Sequence, residues 1–360
     1  MTREKPYLTI LLLTLLVILS GACSRHTTKF DPGTAVFFPA PPDTARIQFL
    51  TSISNSVQVT GQRSAFARFI LGELPSVDIV KPYGITVQGH KLYICDTGID
   101  GLEIIDLENN KFDVFSPTGK GQLKLPLNCC LDEAGNLYVA DGRRKQVVVF
   151  DNSLNYIYAI GEGEDFKPTD VFVKGYYIYI VDLTGKQVVV YDRVSHARVT
   201  AFPESEAGKE DFLYSPTNMF ATDSAVYVSD MGDSKVKIYT PEGRFISSFG
   251  SNGMNIGQFV RIKGIALDQE SNIYAVDAAF ENVQIFDKSG QLLMFFGGPY
   301  QGPGYMAMPA KVAIDYENLE YFEKYLDPEF TLDYLVFVTN QYGPEKIGIY
   351  GFVKPKIKIE

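Results

Sequence analysis

The residues of this 360-residue chain that could do chemistry are a recurrent acid, four cysteines, three histidines and a few polar residues set inside apolar runs. Asp96, Asp141, Asp182, Asp230 and Asp277 each close a short apolar run, as in Leu137-Tyr138-Val139-Ala140-Asp141. A ring of such carboxylates would attract a divalent cation only with separate charge compensation. An acid standing where a strand turns bonds the backbone of that turn instead, and a role repeated in every unit reads as architectural. Cys95, Cys129 and Cys130 lie within apolar runs and read as small buried hydrophobes. Cys95 and Cys130 could face each other across neighbouring units, a pairing that geometry decides. No Cys-x-x-Cys-His run is present, which excludes a covalent c-type haem. His26 falls in a proline-rich stretch, and His90 and His196 fall in turns, so none is placed centrally to hold a metal. Asn128, Asp170 and Asn218 occupy a slot that is glycine in sister units; polar residues bonded to water are the plain expectation there. No nucleophile with a paired base and no glycine-rich phosphate loop is found.

These residues must be positioned by short strands. Leu125–Gly161 contains four apolar runs of β-type residues, separated by Ala134-Gly135-Asn136, Gly142-Arg143-Arg144 and Asp151-Asn152-Ser153. Such runs between turn residues are strands joined by hairpins. The pattern recurs roughly every 45 residues, the spacing of propeller blades. Proline precedes the first strand in register at Pro82, Pro126, Pro168, Pro216 and Pro309, with Ile262 in the remaining slot. Six units are legible, which predicts an all-β, six-bladed β-propeller. The last unit, around Leu335–Asn340, has three strands, and Arg46–Ile53 reads as a fourth strand without its first three. The orphan therefore completes the last blade, closing the ring and removing its open edge. In the insertion Tyr316–Asp333, Leu319, Phe322 and Leu326 recur at helical spacing, predicting a short amphipathic helix over Glu317–Leu326 that ends before Pro328. Capping the tunnel mouth is its simplest use, and binding a partner the other.

At the N-terminus Arg3 and Lys5 precede the apolar run Tyr7–Leu19, too short to span a bilayer with ease, which takes about 20 residues. It ends in Leu19-Ser20-Gly21-Ala22-Cys23, which resembles a bacterial lipobox, with Ser20 in a slot where that pattern carries an aliphatic residue. The resemblance implies a signal peptide over 1–22, a lipid on the Cys23 thiol, a tether over 23–44 and one propeller domain over 45–360. Charge is acidic, 33 Lys plus Arg against 43 Asp plus Glu for a net −10, with no basic run. That excludes a nucleic-acid partner, whose binding rests on clustered cations.

The blades themselves carry a second resemblance. Pro82-Tyr83-Gly84-Ile85-Thr86-Val87, Lys263-Gly264-Ile265-Ala266-Leu267-Asp268, Val283-Gln284-Ile285-Phe286-Asp287 and Phe295-Phe296-Gly297 resemble NHL repeats, and residues 45–353 resemble the NHL-type propeller lipoproteins of Gram-negative bacteria. The resemblance implies an exported protein, lipid-anchored to the outer membrane and facing the periplasm or the cell surface. It also implies a non-catalytic scaffold for an envelope protein partner, with extracytoplasmic electron-transfer complexes as the association it suggests. No cofactor is expected beyond the lipid at Cys23. The loops joining second and third strands gather on one face, where Arg143, Arg144, Phe280 and Tyr342 are the candidate protein-binding residues, since arginine and aromatics dominate interface hot spots. The alternative is a periplasmic calcium-dependent hydrolase or lyase similar to gluconolactonase-type propellers.

Overall fold

Alternating apolar residues in each run have two faces to bury, and a four-stranded sheet covers both only by stacking between copies of itself. The chain does this in a ring. The computed structural model describes residues 35–62, 69–70, 72, 75–161 and 165–356. Five antiparallel four-stranded sheets run consecutively from inner to outer strand: Pro82–Phe115, Pro126–Ile160, Pro168–Phe202, Pro216–Phe249 and Ile262–Gly297, blades 1 to 5. Blade 6 contains Pro309–Asp315, Phe330–Asn340 and Ile347–Pro355. The inner strands neighbour one another all the way round, that of blade 6 lying beside that of blade 1. Second and third strands are buried almost throughout, as in Ile273–Asp277, whereas outer strands such as Phe245–Phe249 are half solvated.

The predicted closure is present. Ile47–Ile53 pairs antiparallel with Ile347–Pro355, Ile47 opposite Phe352 and Ile53 opposite Ile347. Ile47, Leu50 and Ile53 are buried there. The closure goes one strand further than expected. Val36–Phe38 adds a fifth strand on Ile47–Ile53, inside the stretch read as a plain tether. Phe38 holds it by packing against Phe296 and edge-on to Tyr305. Three residues flanked by prolines give too short a run for a period to show.

The insertion in blade 6 is helical over Leu319–Phe322 with a 3₁₀ turn over Glu323–Tyr325, shorter than expected. It does not cap the tunnel. Phe322 and Leu319 pack with Leu50, Ile53, Leu92 and Leu107 in the seam between blades 6 and 1. The Asn318 amide donates to Gly89 O at 2.9 Å, and the Gln48 amide donates to Tyr325 O at 2.9 Å. The helix thus braces the seam where the ring closes. A second short helix, Ser56–Thr60, begins with an Asn55/Gln58 capping box. Among the described residues no helix is long and apolar enough to cross a membrane. Cys23, the apolar run before it and His26 lie outside the described residues.

Candidate binding site at the tunnel mouth

The recurrent acids fix the upper face, where second–third loops meet the segments entering the inner strands. Asp141 accepts from the N–H groups of Arg143 and Arg144 in its own turn, at 3.1 and 2.8 Å. It also accepts from Lys124 and Leu125 in the segment arriving from blade 1, at 2.6 and 3.0 Å. Asp96 does the same with Gly98, Val80 and Lys81, and Asp277 with Ala279, Val260 and Arg261. These carboxylates clamp two loops each, as the repeat implied. Among the described residues no group of three or more His, Cys, Asp or Glu is placed to hold a metal.

Just inside this rim each inner strand breaks register after its opening residue, for example between Pro168 and Asp170 and between Pro126 and Asn128. In five blades the opening residue is proline, which has no N–H for the ladder, and blade 5 shows the same break after Ile262. The residues two past the opening position are Gly84, Asn128, Asp170, Asn218, Gly264 and Lys311, one per blade. Lys311 of blade 6 faces Asp170 of blade 3, directly opposite, and its Nζ lies 2.5 Å from Asp170 Oδ2. Glycine on the two blades flanking blade 6 lets adjacent inner strands approach closely. A Cβ on Gly264 would stand 2.6 Å from Lys311 Cα, and one on Gly84 would stand 2.7 Å from Asn128 Cα. Asp170 is held further by the N–H groups of Val171 and Met219, both at 2.9 Å. The Asn128 amide nitrogen donates to Thr169 O at 2.7 Å, while Oδ1 of both Asn128 and Asn218 has no partner among the described residues. The ion pair separates the mouth above from a cavity of about 230 Å³ beside and below it, lined by Cys130, Phe172, Phe220, Ala266 and Tyr316 among others.

Above the pair, Lys263 is buried and lays its Nζ 4.7 Å from the centre of the Tyr83 ring. Lys81 lies 5.2 Å over the ring of Tyr342. Burial, then the nearby charges of Arg261 and Lys81, lower the Lys263 ammonium to about 8. Burial, then Asp170, raises the Tyr83 phenol to about 12. Lys81, Arg261 and Lys263 have no ion pair among the described residues.

The four loop residues expected to bind a partner sit on this face without converging. Arg143 is exposed, but Arg144 is tied down, donating from Nε to Gln146 Oε1 and from Nη1 to Gln122 O, both at 2.8 Å. Phe280 is half-buried in blade 5, opposite blade 2, and Tyr342 is 50% exposed beside Lys81. Sequence reasoning found the slot of Asn128, Asp170 and Asn218 but missed Lys311, Lys263 and Tyr83. Their signal was a charge in the glycine slot of an apolar inner strand for Lys311, and a charge or phenol just before it for Lys263 and Tyr83. His90 and His196 occupy lower-face turns, His90 bonded to Asn318 Oδ1 at 2.8 Å and His196 stacked on Tyr158.

Cys95, Cys129 and Cys130 are free and buried. Cys95 meets Cys129, not Cys130. Successive strand residues point to opposite faces, so Cys129 joins the cluster of Cys95 and Leu102 while Cys130 joins that of Tyr138 and Val171. Burial, and then the bond to Cys129, push the Cys95 thiol well up.

No protein-family model matches the chain, and no curated protein matches it. Solved structures are similar to it. A protein of unknown function from Bacteroides thetaiotaomicron is 15% identical with a TM-score of 0.58, covering 86% of this chain and 76% of that one. A catalytically inactive histidine-to-alanine variant of virginiamycin B lyase from Staphylococcus aureus, with quinupristin, is 14% identical with a TM-score of 0.54, covering 78% and 86%. A streptogramin B lyase is 12% identical with a TM-score of 0.53, covering 78% and 84%. At such identities the likeness speaks for the fold alone, and the chain is an all-β, six-bladed propeller closed by its own N-terminal strands.

Proposed function

We propose that this chain is a non-catalytic binding propeller of the bacterial envelope, anchored through a lipid on Cys23 and presenting its upper face to a protein partner. The observation that supports it is the Asp170–Lys311 pair, which bars the tunnel just inside the rim and leaves a shallow, cationic floor ringed by loops. Arg143 and Tyr342 are the exposed recognition side chains on those loops. The lyase neighbours suggest the competing class. One of them is inactivated by loss of a histidine, whereas His90 and His196 here sit on lower-face turns, away from the mouth.

A photo-crosslinking residue at position 143 or 342, in cells, should give discrete partner adducts, and one at Lys174 on the lower face should not. Cys23→Ala should shift the protein to the soluble fraction, since stable anchoring needs more than one chain. Equal cross-linking from both faces would refute the upper-face reading. A stoichiometric divalent ion, whose chelation abolishes a hydrolytic or lyase activity of the purified protein, would favour the calcium-dependent alternative instead.

A further inference from the structure

Within an acidic chain, the side chains of Lys81, Arg261 and Lys263 lie close enough to act on one another, and none of them has a salt bridge among the described residues. The carboxylate beneath, Asp170, is already engaged by Lys311 at 2.5 Å. Two of the three cations rest on aromatic faces, Lys263 on Tyr83 and Lys81 on Tyr342. A ring quadrupole holds a cation in position without neutralising it. Lys263 is only 9% exposed, so bulk water does not compensate its charge either. Burial first, and then the like charges of Arg261 and Lys81, lower the titration of Lys263.

An incoming anion would relieve all three at once, with the mutual repulsion converted into attraction. Neither neutral nor cationic ligands would do so. The ion pair below limits depth, so a single terminal group enters, not an extended chain. The donors available are two ammonium groups and a guanidinium, a set suited to the oxygens of carboxylate or phosphate.

We propose that the upper mouth is an oxyanion seat in which a carboxylate or phosphate group is held by Lys263, Lys81 and Arg261 above the Asp170–Lys311 pair. The proposal deepens, and rests on, the reading of the upper face as the binding face. It also names what a partner must present there, an acidic side chain or terminus, with a free small oxyanion as the other source of the same chemistry.

The test uses the purified protein with its lysines dimethylated by ¹³C, which keeps their charge, and follows the Lys263 methyl resonance, assigned by its loss in Lys263→Met. At constant ionic strength, sodium phosphate and sodium acetate should each move the Lys263 titration midpoint upward, while chloride leaves it in place. Phosphate affinity should fall at least tenfold in Lys263→Met and in Arg261→Gln, with melting temperatures within a few degrees of the parent. Arg261 is exposed, so its variant keeps the test valid even if the buried substitution unfolds the protein. A tri-glutamate peptide binding more tightly than phosphate would assign the seat to an acidic segment of a partner; the reverse order would assign it to a free oxyanion. No movement beyond that with chloride, or undiminished phosphate binding by Arg261→Gln, would overturn the seat. Upper-face cross-links persisting alongside that result would leave the broader reading standing, so the two failures are distinguishable.

Discussion

Glu103→Gln should stabilise this protein at neutral pH and flatten its pH dependence. Glu103 is in the third strand of blade 1, fully buried, and neither carboxyl oxygen receives a donor. Its neighbour is Asp96, whose oxygens accept the N–H groups of Val80, Lys81 and Gly98. Burial, and then Asp96, raise the Glu103 carboxyl from 4.5 to about 9. It therefore carries a proton at neutral pH and offers it to Asp96. The sign follows from linkage. The folded chain keeps a proton that the unfolded chain releases above about pH 4.5, so stability from this group is full below that pH. It is then lost progressively as pH rises toward 9 and is constant beyond. At pH 7 the loss is roughly 3 kcal/mol, from 1.36 kcal/mol per pH unit over the interval above the unfolded value. Glutamine keeps the shape, donates an N–H to Asp96 and has no proton to lose. Urea unfolding at pH 5, 7 and 8.5 should show parent and variant close at pH 5, with the variant gaining by about 3 kcal/mol at pH 7 and more at 8.5. Parallel pH profiles, or a variant less stable than the parent at pH 8.5, would refute the argument.

The Asp170–Lys311 pair should behave as a unit. Lys311→Met alone should cost about 3–5 kcal/mol in chemical denaturation by leaving a buried charge unpaired, and adding Asp170→Asn should recover most of it; a double variant as unstable as the single would sink that account. Deleting Ile47–Ile53 should remove the burial of Ile47, Leu50 and Ile53, on the order of 6 kcal/mol at about 2 kcal/mol each. It should also expose the edge strand Ile347–Pro355, so light scattering should report aggregation, and an unchanged melt would show that the strand is dispensable.

The fold was legible because its signals are local and repeated. The Tyr-containing second strands, the terminal acids and the register prolines each state the same unit, and Arg46–Ile53 stood out as a unit's remnant. The site was legible only in part. Asp170 showed as a departure from a repeated glycine, but its partner Lys311 is 141 residues away, and no local period links them. Lys263 looked like ordinary variation within Lys263-Gly264-Ile265. Which neighbour a side chain meets depends on the face it points to, as the meeting of Cys95 with Cys129 and not Cys130 also shows. Arg144 looked exposed by composition, yet its guanidinium is spent on Gln122 and Gln146, since a long side chain in a tight turn folds back on the nearest carbonyl.

The closure of the ring also sets an order of events. Ile47–Ile53 is translated before any blade exists, yet its partners at 347–352 are the last strand made. It must wait, unpaired and apolar, while six sheets assemble downstream, and the loop closed at the end spans nearly the whole chain. Contacts so distant in sequence form late, and long-lived unpaired strands are a hazard for aggregation. Every molecule therefore passes through a nearly complete horseshoe with one unfilled groove. A chaperone that holds that early strand, or a synthetic peptide that fills the groove ahead of it, would decide between a finished ring and a trapped one.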